Sequence, residues 1–170
     1  GGIVANRNQF SNLLNGVIHL PHTHIPEKNS FSWGQPKYGK EKAEALIDII
    51  NFHGSENIAA VIVEPVAGST GVLVPPIGYL EKLREICTKN NILLIFDEVI
   101  TGFGRVGDSF ASERFKVIPD MITMAKGITN ATVPMGAVGV NARIYEMLIK
   151  NKKEKIELFH GYTYSGHPLA

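Results

Sequence analysis

Cysteine is almost missing from this sequence of 170 residues: Cys87 stands alone, so no internal disulfide can form and nothing supports a secreted, disulfide-stapled domain. A lone thiol suits a reducing compartment, and a cytoplasmic setting is expected. Long hydrophobic runs are missing too. The longest, residues 58–63 and 92–96, fall far short of the ~20 apolar residues that a spanning helix requires, and no signal peptide is expected. Charge of one sign is also lacking, because 17 basic side chains meet 16 acidic ones for a net +1. Only Lys152, Lys153 and Lys155 approach a block, and Glu154 interrupts it. Neither a membrane nor a nucleic-acid partner is expected. An initiator Met is absent before Gly1, and the sequence stops at Pro168-Leu169-Ala170 without a polar tail, so a fragment is expected.

What remains is 44% hydrophobic, 19% charged and 8% aromatic, the balance of one globular domain or a piece of one. A domain of this size buries roughly two thirds of its unfolded surface and can hold a core without staples.

Residues 1–40 are rich in Pro, His, Asn, Gly and Ser and read as mostly irregular. After them, Ala43, Leu46, Ile47 and Ile50 fall at the spacing of an amphipathic helix that Gly54 closes. Residues 58–63 are short, β-branched and apolar on both faces, which predicts a buried strand ending at Glu64-Pro65. A second helix follows, with Leu80, Leu83, Ile86 and Cys87 as its stripe and Asn90-Asn91 at its end. Residues 92–96 form the next strand, 121–124 and 137–140 are weaker strands, and 143–150 are a further helix. Strands separated by helices predict an α/β fold, its sheet mostly parallel with helices on both faces. In such sheets ligands sit beyond the carboxyl ends of the strands, where Glu64 and Asp97-Glu98 lie.

The most pointed local pattern is Ile92-Leu93-Leu94-Ile95-Phe96-Asp97-Glu98-Val99, an apolar strand with two acids at its exit. Asp97 also suits a cap or turn. An ATPase reading fails because no G-x-x-x-x-G-K-[ST] loop is present, and Gly39-Lys40 leads into Glu41. Gly102-Phe103-Gly104-Arg105-Val106-Gly107 matches the dinucleotide pattern in form only. Residues 97–101 separate it from the strand, and Gly107-Asp108-Ser109 continues as loop. His19, His22 and His24 lie in an irregular stretch, so no metal site is expected. Cys87, Met121, Met124 and Met135 read as packing.

Lys126 follows Met121-Ile122-Thr123-Met124-Ala125 and precedes Gly127. A lysine at a strand end that extends its charge to water is the plain reading. Desolvation beside apolar residues, the alternative, frees a neutral amine for nucleophilic work. An acid at one strand exit and such a lysine 29 positions later is the pairing that pyridoxal phosphate requires. The lysine forms a Schiff base with the cofactor aldehyde, and the acid keeps the pyridine nitrogen protonated.

At these residues the sequence resembles the class III aminotransferases, pyridoxal-phosphate enzymes of fold type I. The resemblance runs from about Ile58 to the end. It passes through Glu64-Pro65-Val66, the block from Ile95 through Asp97-Glu98-Val99-Ile100-Thr101-Gly102 to Arg105, Pro119-Asp120, Ala125-Lys126-Gly127 and His160-Gly161-Tyr162-Thr163-Tyr164-Ser165-Gly166-His167-Pro168. It implies Lys126 as the Schiff-base lysine, Asp97 as the partner of the pyridine nitrogen and Val99 as an apolar contact on the ring. It implies a homodimer or higher homo-oligomer in which Thr163 reaches the cofactor phosphate of the neighbouring subunit, and that Glu64 stands near the cofactor, where it meets a substrate-binding arginine. Residues 63–72 together with 160–164 look most like the ω-amino-acid:pyruvate branch. That implies β-alanine, another ω-amino acid or an amine as donor and pyruvate as acceptor.

Members of this family are much longer. Residues 1–170 are therefore expected to be the central part of the large, cofactor-binding domain. The upstream phosphate loop, the ring-stacking aromatic and the C-terminal small domain with its substrate arginine are expected elsewhere, and the isolated piece to be unstable or inactive. An aminomutase or decarboxylating relative, an inactive truncated subunit and a plain nucleotide-binding α/β domain stay open at this point.

Overall fold

The computed structural model describes residues 3–150 and 158–169. Residues 3–39 are irregular apart from two short helices, α1 (Val4–Gln9) and α2 (Pro26–Asn29). The sequence does not announce α1 because it buries no side chain and so has no apolar stripe. From Lys40 a 3-10 turn (Lys40–Glu44) leads into α3 (Ala45–His53). Gly54 ends that helix as expected: at φ +81°, where a Cβ is disfavoured, its N–H reaches the Ile50 carbonyl at 2.8 Å. Ala43 and Leu46 are buried as their spacing predicts, but Ile47 is 39% exposed. The 3-10 turn advances 120° per residue instead of 100°, which rotates the buried face away from Ile47.

The remaining elements are β1 (Ala60–Val63), α4 (Tyr79–Lys89), β2 (Leu93–Asp97), α5 (Ala111–Arg114), β3 (Met121–Met124), β4 (Ala137–Val140) and α6 (Ala142–Lys150). The four strands form one sheet in the order β1-β2-β3-β4. β1, β2 and β3 run parallel and β4 returns antiparallel beside β3. This is the expected α/β class with a mostly parallel sheet.

Alternation along the strands decides which face is covered. Val61, Leu94 and Phe96 point to the core, where Leu80, Leu83, Ile86 and Cys87 of α4 and Leu46 of α3 meet them. Each fully buried aliphatic of this set contributes about 1.5–3 kcal/mol. The other face carries Leu93, Ile95 and Asp97, and Ile62 there is 62% exposed. Among the described residues, α3 and α4 cover the first of these faces.

The starting edge of the parallel strands is tied by Asp120. Its Oδ2 accepts from Arg84 Nη1 of α4 at 2.7 Å and from the Leu94 N–H of β2 at 2.8 Å, while its Oδ1 accepts from Asn141 Nδ2 at 3.0 Å. Arg143 Nη2 stands 3.7 Å from the same Oδ1. Burial pushes this carboxyl up, but the Leu94 amide and the two guanidiniums outweigh burial and hold it below the usual carboxylate range.

Candidate functional site

The opposite edge, where β1, β2 and β3 end, is where the expected site residues gather. Val63 pairs with Phe96 and Asp97 with Thr123. Glu64 thus follows the last residue of β1, Asp97 is the last residue of β2, and Lys126 comes two residues after β3. Neighbouring parallel strands bring residues distant in sequence to one line, which no loop alone does.

Asp97 leaves the strand through a tight turn in which its Oδ1 accepts the Val99 N–H at 3.1 Å. Among the described residues Oδ2 accepts no hydrogen bond. By strand alternation the side chain belongs to the open face, with Leu93 and Ile95. Thr123, its register partner, has a buried Oγ1 with no hydrogen-bond partner. Such an atom is uncommon in a native interior and marks a place where a polar group is wanted.

Lys126 opens a single 3-10 turn (Lys126–Ile128) and holds φ at +42°, a left-handed conformation that few non-glycine residues adopt. It is exposed, as in the plain reading of a lysine that extends its charge to water, and not desolvated as in the alternative. Its apolar sequence neighbours, Met121–Met124, lie in the strand, Ala125 is still extended, and the chain turns at Lys126 itself. Among the described residues its Nζ joins none of the ion pairs.

Glu64 is half-buried, and its Oε2 accepts the Gly68 N–H at 2.9 Å. Gly68 in turn lines a cavity of about 370 Å³ together with Val66, Val72, Ile100 and Arg105, between the loops that follow β1 and β2. That volume suits a small organic molecule. Thr163 stands apart. It lies in an exposed turn, and the hydrogen bonds of 158–169 are local, such as Tyr162 N–H to Ser165 Oγ at 3.1 Å.

The glycines at 102, 104 and 107 shape a loop. Gly104 and Gly107 have φ of +91° and +93°, and no helix opens until Ala111. Dinucleotide-type phosphate binding at a helix start is therefore absent from this loop. Among the described residues no group of three or more His, Cys, Asp or Glu side chains is placed to hold a metal, and no helix is long and apolar enough to cross a membrane.

Pyridoxal phosphate can be tested against this edge. It requires an acceptor for a protonated ring nitrogen, a primary amine for its aldehyde, and polar partners between the two. Asp97 Oδ2, Lys126 Nζ and the orphaned Thr123 hydroxyl supply that set from adjacent strands. The donor chemistry fits.

Glu98 carries no role from sequence alone, yet it is wholly buried. Its Oε2 accepts from Thr101 Oγ1 at 2.9 Å and from the Ala111 N–H at 2.6 Å, and its Oε1 from the Ser112 N–H at 2.9 Å. The doublet Asp97-Glu98 held the clue, because consecutive residues at a strand end face opposite sides.

The chain matches the class-III aminotransferase family over residues 5–170. It is 62% identical to an omega-aminotransferase of Caulobacter vibrioides and 50% identical to an omega-amino acid–pyruvate aminotransferase of Pseudomonas putida. Each alignment covers 100% of this chain, and 39% and 38% of those proteins. The chain thus spans about two fifths of the length of the curated relatives it matches. Among solved structures, an (S)-enantioselective omega-transaminase from Thermomicrobium roseum superposes with TM-score 0.83 at 42% identity, over 99% of this chain and 37% of that one. The omega transaminase of Pseudomonas jessenii in complex with PMP gives TM-score 0.84 at 35% identity, over the same shares.

Proposed function

Because this chain belongs to the class-III aminotransferases, we propose that residues 1–170 are the central part of a pyridoxal-phosphate-binding large domain of fold type I. The protein that contains it moves an amino group from an ω-amino acid such as β-alanine, or from an amine, to pyruvate. The donor becomes a carbonyl compound and pyruvate becomes alanine. The observation that carries this reading is the placement of Asp97 and Lys126 at one sheet edge, at and just beyond the ends of adjacent strands, with Thr123, whose hydroxyl is unpaired, in register with Asp97. The names of the two bacterial relatives support the choice of substrates.

Bound there, pyridoxal phosphate supplies an aldehyde for amines and a ring that accepts electrons from the donor carbon. Asp97 Oδ2 would accept from the protonated ring nitrogen and favour the proton there, Oδ1 being occupied by Val99 N–H. Val99 offers its apolar side chain to one face of the ring. Lys126 Nζ would hold the cofactor's aldehyde carbon, and when a donor amine takes its place the freed amine would carry the proton lost by the donor carbon to that former aldehyde carbon, so one side chain would serve as nucleophile and general acid–base. Glu64 orients a substrate-binding arginine from the side of the cavity that Gly68 lines. Thr163 reaches the cofactor phosphate of the neighbouring subunit in a homodimer, a role for which its exposed turn is suited. The cytoplasm is the proposed setting, since the one cysteine, Cys87, is buried and free.

The test is to load the protein that contains this chain with pyridoxal phosphate, reduce it with borohydride and map the modified peptide. A stoichiometric pyridoxyl group confined to Lys126 is expected. Scattered labelling of surface lysines in a folded sample would overturn the assignment. Product analysis with β-alanine and pyruvate then distinguishes transamination, which yields alanine, from isomerisation or loss of CO₂.

A further inference from the structure

We propose that Glu98 is a positioning residue for Lys126, acting through the loop of residues 99–110. This rests on the reading of Lys126 as the cofactor lysine. A fully buried glutamate without a basic partner among the described residues is costly unless its oxygens are well satisfied. Here the satisfying donors come from both ends of one loop: Thr101 Oγ1 near its start, and the Ala111 and Ser112 N–H groups where α5 begins. The backbone of Glu98 extends the same tie. Its N–H donates to the Thr123 carbonyl at 3.0 Å and its carbonyl accepts the Gly102 N–H at 2.9 Å. Gly102 is held so closely that an added Cβ would sit 3.0 Å from the Glu98 carbonyl oxygen and 3.1 Å from the Phe110 ring.

The loop closed in this way delivers Phe103. Its ring meets Phe110 edge to face at 5.2 Å between centroids, and its φ is +61°. A Cβ built on Gly127 would lie 2.9 Å from Phe103 Cβ, so the loop presses directly on the residue after Lys126. Lys126 itself stands at φ +42°. A non-glycine residue stays in such a conformation only where its surroundings over-determine it. On one side the strand β3 supplies that constraint, and on the other the loop fastened to Glu98 supplies it. Asp97 and Glu98 therefore divide the work of one strand end: the first faces the cofactor, the second fixes the turn that presents the amine.

Two variants of the protein that contains this chain test this, Glu98→Gln and Phe103→Ala, with Ile86→Val in α4 as a control for plain loss of stability. In Glu98→Gln the shape is kept, but the new amide NH₂ must face a Thr101 hydroxyl or a backbone N–H that was donating. Phe103→Ala leaves Glu98 intact and removes only the contact on Gly127. Pyridoxal phosphate is added to folded apoprotein. The rate of borohydride-trappable adduct at Lys126 is measured by peptide mapping, and the pH midpoint of the bound cofactor's absorbance is recorded alongside. Both variants are expected to slow adduct formation at Lys126 about tenfold or more and to move the midpoint, because small misplacement of a reacting group is expensive. Ile86→Val is expected to do neither. Wild-type rates and midpoints in either folded variant, or equal changes in the control, would overturn the positioning role. Absence of any Lys126 adduct in the wild type would instead overturn the cofactor reading on which it rests.

Discussion

Replacing Asp120 by asparagine should destabilise the protein without disturbing its chemistry, and the size of the loss follows from the geometry. Oδ2 accepts Arg84 Nη1 at 2.7 Å and Leu94 N–H at 2.8 Å, while Oδ1 accepts Asn141 Nδ2 at 3.0 Å. An asparagine has one acceptor oxygen, so whichever way its amide is turned, its NH₂ faces donors. Removing one partner of a buried ion pair costs about 3–5 kcal/mol. Arg84 keeps 23% of its side-chain exposure and can regain water, which lowers the expected loss to about 2–3 kcal/mol. Urea unfolding followed by circular dichroism at pH 7 measures it. The pH dependence provides a second check. A carboxyl held below its ordinary range when folded contributes stability that is present above the unfolded pKa of about 3.9 and is lost as pH falls through the lower folded value. The gap between wild type and Asp120→Asn should therefore shrink in strong acid. A loss below about 1 kcal/mol at pH 7, or a gap unchanged by acid, would refute the reasoning. Labelling of Lys126 should be unaffected wherever the variant is folded, since Asp120 lies at the far edge of the sheet.

Lys126→Ala should reduce turnover of β-alanine with pyruvate to background, and rapid transamination by that variant would sink its assignment. Asp97→Asn, which keeps the shape but removes the charge, should lower kcat by about 10²-fold or more in steady-state assays. Cys87, fully buried with its thiol pushed up to about 11 by burial, should resist a thiol reagent at pH 8 and react fully once the chain is unfolded; fast labelling of the native protein would contradict its place in the core. Gly102→Ala, whose Cβ meets a backbone carbonyl oxygen at 3.0 Å, should lower the unfolding free energy by about 1–3 kcal/mol in a urea titration.

The elements most open to sequence reading were those whose periodicity reports burial. Leu80, Leu83, Ile86 and Cys87 recur as a helix stripe and are the face α4 buries. The β-branched run before Glu64 is a strand, and the antiparallel β4 was already suggested by its composition though not by its direction. Ile47 shows where periodicity fails, because a change of helix type upstream rotates the stripe. At the site, Asp97 and Lys126 could be singled out because each chemistry-bearing side chain follows an apolar strand. Thr123 could not, since an unpaired hydroxyl inside a strand has no one-dimensional signature. Phe103 and Gly127 are linked only through space, by a contact across 24 residues of chain. The desolvated alternative for Lys126 rests on neighbours in sequence, whereas exposure is set by where the backbone turns.

The antiparallel return of β4 bears on the chain entropy that this edge costs. Met124 pairs with Ala137 and Met121 with Val140, partners 13 and 19 residues apart, whereas Ala60 and Leu93 are separated by 33. Closing the shorter loop costs about 0.8 kcal/mol less in chain entropy than closing the longer one. The connection that carries Lys126 is thus closed at a lower entropic cost than the crossover joining β1 to β2, so the lysine's turn leans on the cheapest pairing of the sheet to form.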